Sequence, residues 1–421
     1  MKKIVVFVLV VLMVISAFTL VSCSDQAEVP ETPAVEQTDD TAEEPPAETP
    51  AEQADEASDA TGEPIKVGNI QDTTGPTSTQ GLSVQRGIEL CIDDINAAGG
   101  INGAPIELIS YDCAGDPEEA LNCYKRLCEM DGVQIVLGPP LSNVGLACIE
   151  ATNEYKVPFL GAFAINKCMI NEDTGETNDY MFAVQPTAEY AGRILADYII
   201  NKLGYNKVAV LSRSDQAYLN ASYNEFKNVF TENGGEIVSD QLVTKNDTDY
   251  KVQISNMISS DAEMLVHFLE TNDNVLFFNQ YNQLGGTLEV GGGNSFAQPM
   301  VSMLDNPESA NGLYFTNNVD LDEAGLQDIA KAYNDAYGVE ADTKTYVGYD
   351  LGLVLKAALE GASAYDAESI KASLETNIND IELCQGVFSF SDQHMPEGLS
   401  MVIFKIDGGE YSVLERYAPE D

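Results

Sequence analysis

Ser142 closes the run VQIVLGPPLSNVG, Val133 to Gly145, just ahead of an apolar segment with helical spacing. Gly138, Pro139 and Pro140 stop the strand-like residues before it, because proline has no N–H to give to a ladder and glycine weakens extended pairing. A serine in that place predicts a helix N-cap, with the unused N–H groups and the positive end of the helix dipole turned outward. Such a terminus receives a carboxylate. A purely structural cap is the alternative, and the residues alone leave both open.

Other chemistry has little material. The chain has two histidines, His267 and His394, and the first lies in an apolar strand-like run, where it reads as a core or cleft residue rather than a base. No Ser-His-Asp order, paired metal-ligand spacing or Walker-type loop occurs. The glycine-rich GGGN, Gly291 to Asn294, is followed by no Lys-Ser or Lys-Thr, so it reads as a flexible ligand loop rather than a phosphate cradle. Besides Cys23 there are seven cysteines: Cys91, Cys113, Cys123, Cys128, Cys148, Cys168 and Cys384. An odd number at irregular spacing is neither a disulfide framework nor a zinc site. Free, mostly buried thiols are the expectation, with one bridge left open. These residues point to a binding protein, with no catalytic residue, metal or cofactor.

The elements that would position such a site alternate. IKVGNI (Ile65–Ile70), IELISYD and VQIVLG are strand-like, and Gly81–Ala98, Pro117–Met130 and Val144–Tyr155 carry helical spacing. VPFLGAF is extended. The same grammar restarts after Pro186: helix Ala188–Leu203, strand Lys207–Ser212, helix Ala221–Asn233, strand EIVSDQLV, helix Tyr250–Ser259, strand MLVHFL and helix Asn274–Leu284. This order predicts an α/β protein of two doubly wound parallel-sheet lobes with a cleft between them. Ligands of open α/β sheets sit beyond the carboxyl ends of the strands.

What precedes the folded part sets its surroundings. Lys2 and Lys3 lead an apolar run and then LVSC, Leu20 to Cys23, the pattern of a leader at 1–22 that looks like a bacterial lipoprotein signal, with lipid on Cys23. The expected location is extracytoplasmic, anchored to the cell membrane. From Ser24 to Glu63 there are 14 acidic residues and no Lys or Arg, so 23–63 reads as a solvated, disordered spacer. The 358 residues from Pro64 carry 19 basic and 54 acidic side chains, a net of −35. That excludes nucleic acid as a partner, since phosphate contacts need basic patches.

Between Pro64 and Asp421 the run IKVGNIQDTTGPTSTQGLSVQRGIELCIDDINAAGGINGAPIELISYDCAGDPEEALN, then VLGPPLSNVGLACIEATNEYKVP, DYKVQISNMI, NGLYFT and TYVGYDLGLVLKAALEGA occur in order. Together they resemble the branched-chain amino-acid-binding (Leu/Ile/Val-binding) proteins, solute receptors of ABC importers. The resemblance implies a type I periplasmic-binding-protein clamshell, closing as a monomer on one small solute and read by a membrane permease. A lipoprotein that senses a ligand and signals through a membrane partner is the alternative. The implied lobes are 64–183 plus 317–386 and 184–316 plus 387–421, with crossovers near Phe182–Thr187, Gly312–Asn318 and Cys384–Ser391.

The resemblance also assigns pocket residues. Ser142 corresponds to a serine that helps bind the ligand carboxylate, and Asn143 stands beside it. Ile165 occupies the place of a threonine that completes the carboxylate site, and Phe163 that of a residue whose backbone carbonyl accepts from the ligand ammonium. Tyr218 is kept after the second lobe's first strand. Asn294 takes the place of the acidic counter-ion of the ammonium, which leaves Glu270 and Asp72 as carboxylates able to replace it. Gln80 stands where an aromatic residue usually meets the ligand side chain, and Tyr346 is a further candidate lining or core residue. The departures at Ile165, Asn294 and Gln80 imply a solute more polar than leucine, amino-acid-like or bearing a carboxylate or amide.

Overall fold

The computed structural model describes residues 62–418; the expected leader, Cys23 and the spacer up to residue 61 lie outside them. The backbone is already tied at Gly62, whose N–H donates to the Gly103 carbonyl at 2.8 Å.

Seven segments build the first lobe's opening: β1 (Ile65–Gln71), α1 (Ser78–Ala97), β2 (Ile106–Asp112), α2 (Pro117–Arg126), β3 (Ile135–Gly138), α3 (Ser142–Tyr155) and β4 (Phe159–Gly161). They are followed by β5 (Met181–Ala183), giving a five-stranded parallel sheet in the order β2-β1-β3-β4-β5. α2 shows why such helices start where they do. Asp116 accepts from the N–H groups of Glu118 and Glu119 at 2.9 Å each, Pro117 opens the first turn, and Lys125 and Arg126 close the last, matching caps and charges to the helix dipole. α2 then widens into a π-helical turn over Leu127–Asp131.

The chain crosses and starts again with α4 (Ala188–Asp197), β6 (Lys207–Arg213), α5 (Ala217–Glu232), β7 (Glu236–Val243), α6 (Lys251–Ile258), β8 (Met264–Phe268), α7 (Thr271–Gln283), β9 (Val290–Gly292) and β10 (Leu313–Asn317). It then returns to the first lobe with α8 (Gln327–Tyr337), α9 (Thr343–Gly361), α10 (Ala367–Asn377), β11 (Ile381–Leu383), β12 (Gly386–Phe390) and β13 (Pro396–Glu397), and ends in the second with β14 (Met401–Asp407) and β15 (Glu410–Tyr417). The second sheet runs β15-β14-β10-β9-β8-β6-β7. Its parallel strands β10-β9-β8-β6-β7 are extended at one edge by two antiparallel ones: β14 lies antiparallel to β10, and β15 antiparallel to β14. A hairpin of this kind needs only a tight turn, here Gly408–Gly409, whereas a parallel addition would need another crossover helix.

Each sheet is covered on both faces. In the first lobe, Val84, Ile88 and Ile92 of α1 pack with Val347, Leu351 and Leu355 of α9 over one face, while Tyr124, Val144, Cys148 and Phe159 fill the other. The two helices approach closely because Gly87 and Gly348 face each other's backbone. A Cβ on Gly87 would lie 2.2 Å from the Thr345 carbonyl oxygen, and one on Gly348 the same distance from that of Val84.

One boundary differs from the expectation. The third crossover, placed at Cys384–Ser391 with 387 onward in the second lobe, falls at Ser400 instead. β12 pairs with β11 and β13, Phe388 and Leu399 are buried in the first lobe's core, and Met401 is the first residue buried in the second lobe's. The aromatic residues of this hairpin need an apolar partner and find it in Phe182, which meets Phe390 at 5.4 Å and stacks on His394 at 4.0 Å.

The connections between the lobes are laced by amides. Asn318 Nδ2 donates to Gln185 Oε1 at 3.4 Å and to Gln385 Oε1 at 3.1 Å, and Lys344 Nζ donates to Gln185 Oε1 at 3.2 Å. Gln385 Nε2 donates to the Val184 carbonyl and to the carboxylate of Asp350.

Candidate functional site

The parallel strands of both lobes end in loops at the carboxyl edges of their sheets, the edge at which open α/β sheets take ligands. After β1, β3 and β4 come residues 72–77, 139–141 and 162–165; after β6, β8 and β9 come 214–216, 269–270 and 293. Contacts join the two sets. Tyr218 and Ala221 of α5 pack against the first-lobe cluster that holds Phe163, Ile165 and Cys168, the Ala188 N–H donates to the Ala164 carbonyl at 2.7 Å, and the Asn166 N–H donates to both carboxylate oxygens of Glu189, at 3.1 and 3.2 Å.

Ser142 is the first residue of α3 rather than its cap. Leu141 takes the cap position in extended conformation, and its carbonyl accepts from Val144 and Gly145. The Ser142 hydroxyl is used across the loops instead, accepting from the Ala164 N–H at 3.2 Å. The strand ends at Gly138, the chain bends at Pro140, and Leu141 is the extended residue from which the helix starts. The N–H groups of Ser142 and Asn143 still have no carbonyl within α3 to donate to, and Asn143 is exposed. The terminus thus keeps its donors while the hydroxyl is committed to the protein.

A group of acidic and phenolic side chains faces this corner. Tyr218 is pushed up to about 12, first by burial and then by the charges of Glu189 and Glu270. Burial also holds the Glu189 carboxyl above the usual range, with Glu225 adding to it and the Asn166 bond opposing it. Glu270 is raised by burial and by Asp273 and Asp215, against Arg213 and Lys245. It occupies the cap position of α7 without a side-chain bond to that helix's N–H groups, and the residue is exposed. Arg213 does not neutralise it, being bound to Asp215 at 2.8 Å and to Asp273 at 2.5 Å. Asn166 Oδ1 is shut off from solvent and has no donor.

The other assigned residues divide. Asn294 starts a short helical turn after β9 and is half-buried, and Ser295 next to it is pinned to the start of α7 by Thr271 and Asn274. Gln80 is exposed in the first turn of α1. Asp72 is wholly buried, and its carboxylate accepts from the N–H groups of Gly75 and Thr77 at 2.6 and 2.9 Å, so it shapes its own loop instead of offering a charge to a solute. Tyr346 is a core residue, packed with Val319, Leu326 and Cys384. The Phe163 ring is buried edge-on to Phe159 at 5.0 Å, and the Ile165 side chain lies in the same cluster.

Glu189 escaped sequence reading. In TAEYAG it looks like an ordinary first-turn carboxylate favoured by the helix dipole, and only its position just past a crossover signals otherwise. His267 lies among Phe277, Phe278 and Phe296, and burial lowers it to about 3, which leaves it neutral and unsuited to proton transfer. The seven described cysteines are unpaired, six of them buried. Among the described residues no group of His, Cys, Asp and Glu is placed to hold a metal ion, and no helix is long and apolar enough to cross a membrane.

Comparison with known proteins bears on this arrangement. A family model described as periplasmic binding protein matches residues 64–410. The Leu/Ile/Val-binding protein homolog 3 of Brucella melitensis is 26% identical over 361 residues, covering 83% of this chain and 94% of that protein. Among solved structures, the branched-chain amino acid transporter substrate-binding protein LivJ of Streptococcus pneumoniae, in complex with isoleucine, superposes with a TM-score of 0.73 at 25% identity, over 85% of this chain and all of that one. A solute-binding protein of an ABC transporter from R. palustris, in complex with benzoate, shares the fold with a TM-score of 0.69 at 20% identity, over 85% of this chain and 97% of that one.

Proposed function

The chain belongs to the periplasmic binding protein family, and from that premise we propose that it is the solute receptor of an ABC importer, held outside the cytoplasmic membrane by lipid on Cys23. Family members are solute-binding proteins rather than enzymes. The observation that carries the reading is the meeting of two sets of strand-end loops around Ser142, Asn166, Glu189 and Tyr218, where open α/β sheets take their ligands.

The mechanism is capture by closure. The N–H groups at the start of α3 and the loop after β4 belong to one lobe, and Glu189, Tyr218, Glu270 and Asn294 to the other. A solute that bonds both sets is held fully only when the lobes are closed, so binding shifts the population toward the closed form. The amide lacing at Gln185, Asn318 and Gln385 is short-range and polar, and lets the lobes turn without exposing a core. The closed form is what a permease would recognise. The solute is small and polar.

The test is a thermal-shift screen of amino acids, amides, amines and small organic acids on the chain from Pro64, followed by calorimetry. A true ligand present at a hundred times its Kd stabilises the folded state by about 2.7 kcal/mol. A screen across these classes with no stabilising compound would refute the receptor reading.

A further inference from the structure

We propose that the solute is a small organic cation, an amine or amidinium without a free carboxylate at its α3 end, and that Glu189 sets this choice. The inference rests on the receptor reading above and goes beyond it by naming the charge the cleft selects.

The loop after β4 has two N–H groups whose acceptors are side-chain oxygens, and both are supplied by the protein. Ala164 donates to Ser142 Oγ at 3.2 Å, and Asn166 to Glu189 Oε1 and Oε2 at 3.1 and 3.2 Å. The protein thus lays its own carboxylate across the Asn166 N–H, and a ligand carboxylate seated on the Ser142 and Asn143 N–H groups would have Glu189 as a neighbour. A second carboxylate there would meet Glu189 at close range in a poorly hydrated corner, where like charges repel strongly.

The remaining groups favour a donor. Asn166 Oδ1, sealed from solvent, lacks one. Tyr218 packs against the cluster of Phe163 and Ile165 beside the Glu189–Asn166 pair, and the charges of Glu189 and Glu270 both raise its phenol. The charges acting on them do not cancel within the protein. Glu225 adds repulsion to Glu189, while Arg213, the strongest cation near Glu270, is bound to Asp215 and Asp273 and Lys245 is the other. Partly desolvated carboxylates whose counter-charges are shared with other acids or absent are costly, and an incoming ammonium relieves that cost. At long range the chain's net charge of −47 draws cations toward it.

The test uses matched pairs differing only in the charged end: isoamylamine against isovalerate, benzylamine against benzoate, and putrescine against succinate. They are titrated calorimetrically into the wild-type chain and into Glu189→Gln and Glu270→Gln. The glutamine at 189 keeps an oxygen for the Asn166 N–H, so folding is retained. In the wild type the bound amine exceeds its acid partner by at least about tenfold in affinity, and Glu189→Gln narrows that ratio by about tenfold, equivalent to about 1.4 kcal/mol. Amine affinity falls as pH is lowered and Glu189 and Glu270 take up protons; a carboxylate ligand would show the opposite slope. Tighter binding of any acid than its matched amine by the wild type, or a ratio unmoved by Glu189→Gln, overturns the inference. No binding by any member of the pairs or of the broader screen would instead overturn the receptor reading.

Discussion

Replacing Asp350 by asparagine should reshape the pH dependence of stability in a way that no surface carboxylate could. Asp350 is wholly buried, and its carboxylate accepts from Cys384 N at 2.7 Å, Gln385 N at 3.3 Å and Gln385 Nε2 at 2.9 Å. Burial pushes its carboxyl from 3.8 up to about 6 in spite of these bonds. In the window between those values the folded protein keeps a proton that the unfolded chain has released. The stabilisation is therefore full below the unfolded value and is lost as pH rises through about 6. Two pK units at about 1.36 kcal/mol each make the swing close to 3 kcal/mol. Asparagine cannot titrate, but its NH2 group meets donors from Gln385, at a cost of about 1–2 kcal/mol. The variant should be the less stable protein in acid and the equal or more stable one above neutrality, with the difference between them shifting by about 3 kcal/mol. Urea denaturation of both proteins at several pH values from acid to neutral measures that difference and cancels the titration of all other groups. Parallel curves would refute the reasoning.

Gly348→Ala puts a methyl group 2.2 Å from the Val84 carbonyl, so α1 and α9 must separate; thermal melts should show a loss of about 1–3 kcal/mol. Arg213→Gln removes the counter-ion of Asp215 and of the buried Asp273 and should cost about 3–5 kcal/mol in urea denaturation. Ser142→Ala strands the Ala164 N–H and should cost about 1–3 kcal/mol of stability, whether or not a solute is present; an unchanged melt would place that hydroxyl in ligand binding alone.

The alternation of elements was legible because each strand and helix announces its own period. Ile106–Asp112 and Lys207–Ser212 read as strands, and Ala188 onward as a helix, from spacing alone, and β2, β6 and α4 lie there. What escaped depended on partners remote in sequence. The hairpin at 386–397 belongs to the first lobe because Phe182 waits there for Phe390 and His394, and nothing near residue 390 records that. Ser142 was found, but the use of its hydroxyl is fixed by Ala164 in another loop. Tyr346 and Asp72 have the side chains of a binding site, yet packing against Cys384 claims the first and the loop's own N–H groups the second. Glu189 acquires meaning only once Asn166 lies against it.

The close crossing of α1 with α9 has a kinetic side. Ser83 and Asp342, hydrogen-bonded at 2.7 Å, are 259 residues apart in sequence, and the second sheet waits for β14 and β15 to cover one edge. A chain emerging residue by residue from a ribosome or a translocation channel exposes Val84, Ile88 and Ile92 long before their cover arrives. Such non-local closure is slow, so neither lobe can lock early. For a protein bound for the far side of a membrane, that delay keeps the chain pliable while it is being threaded through.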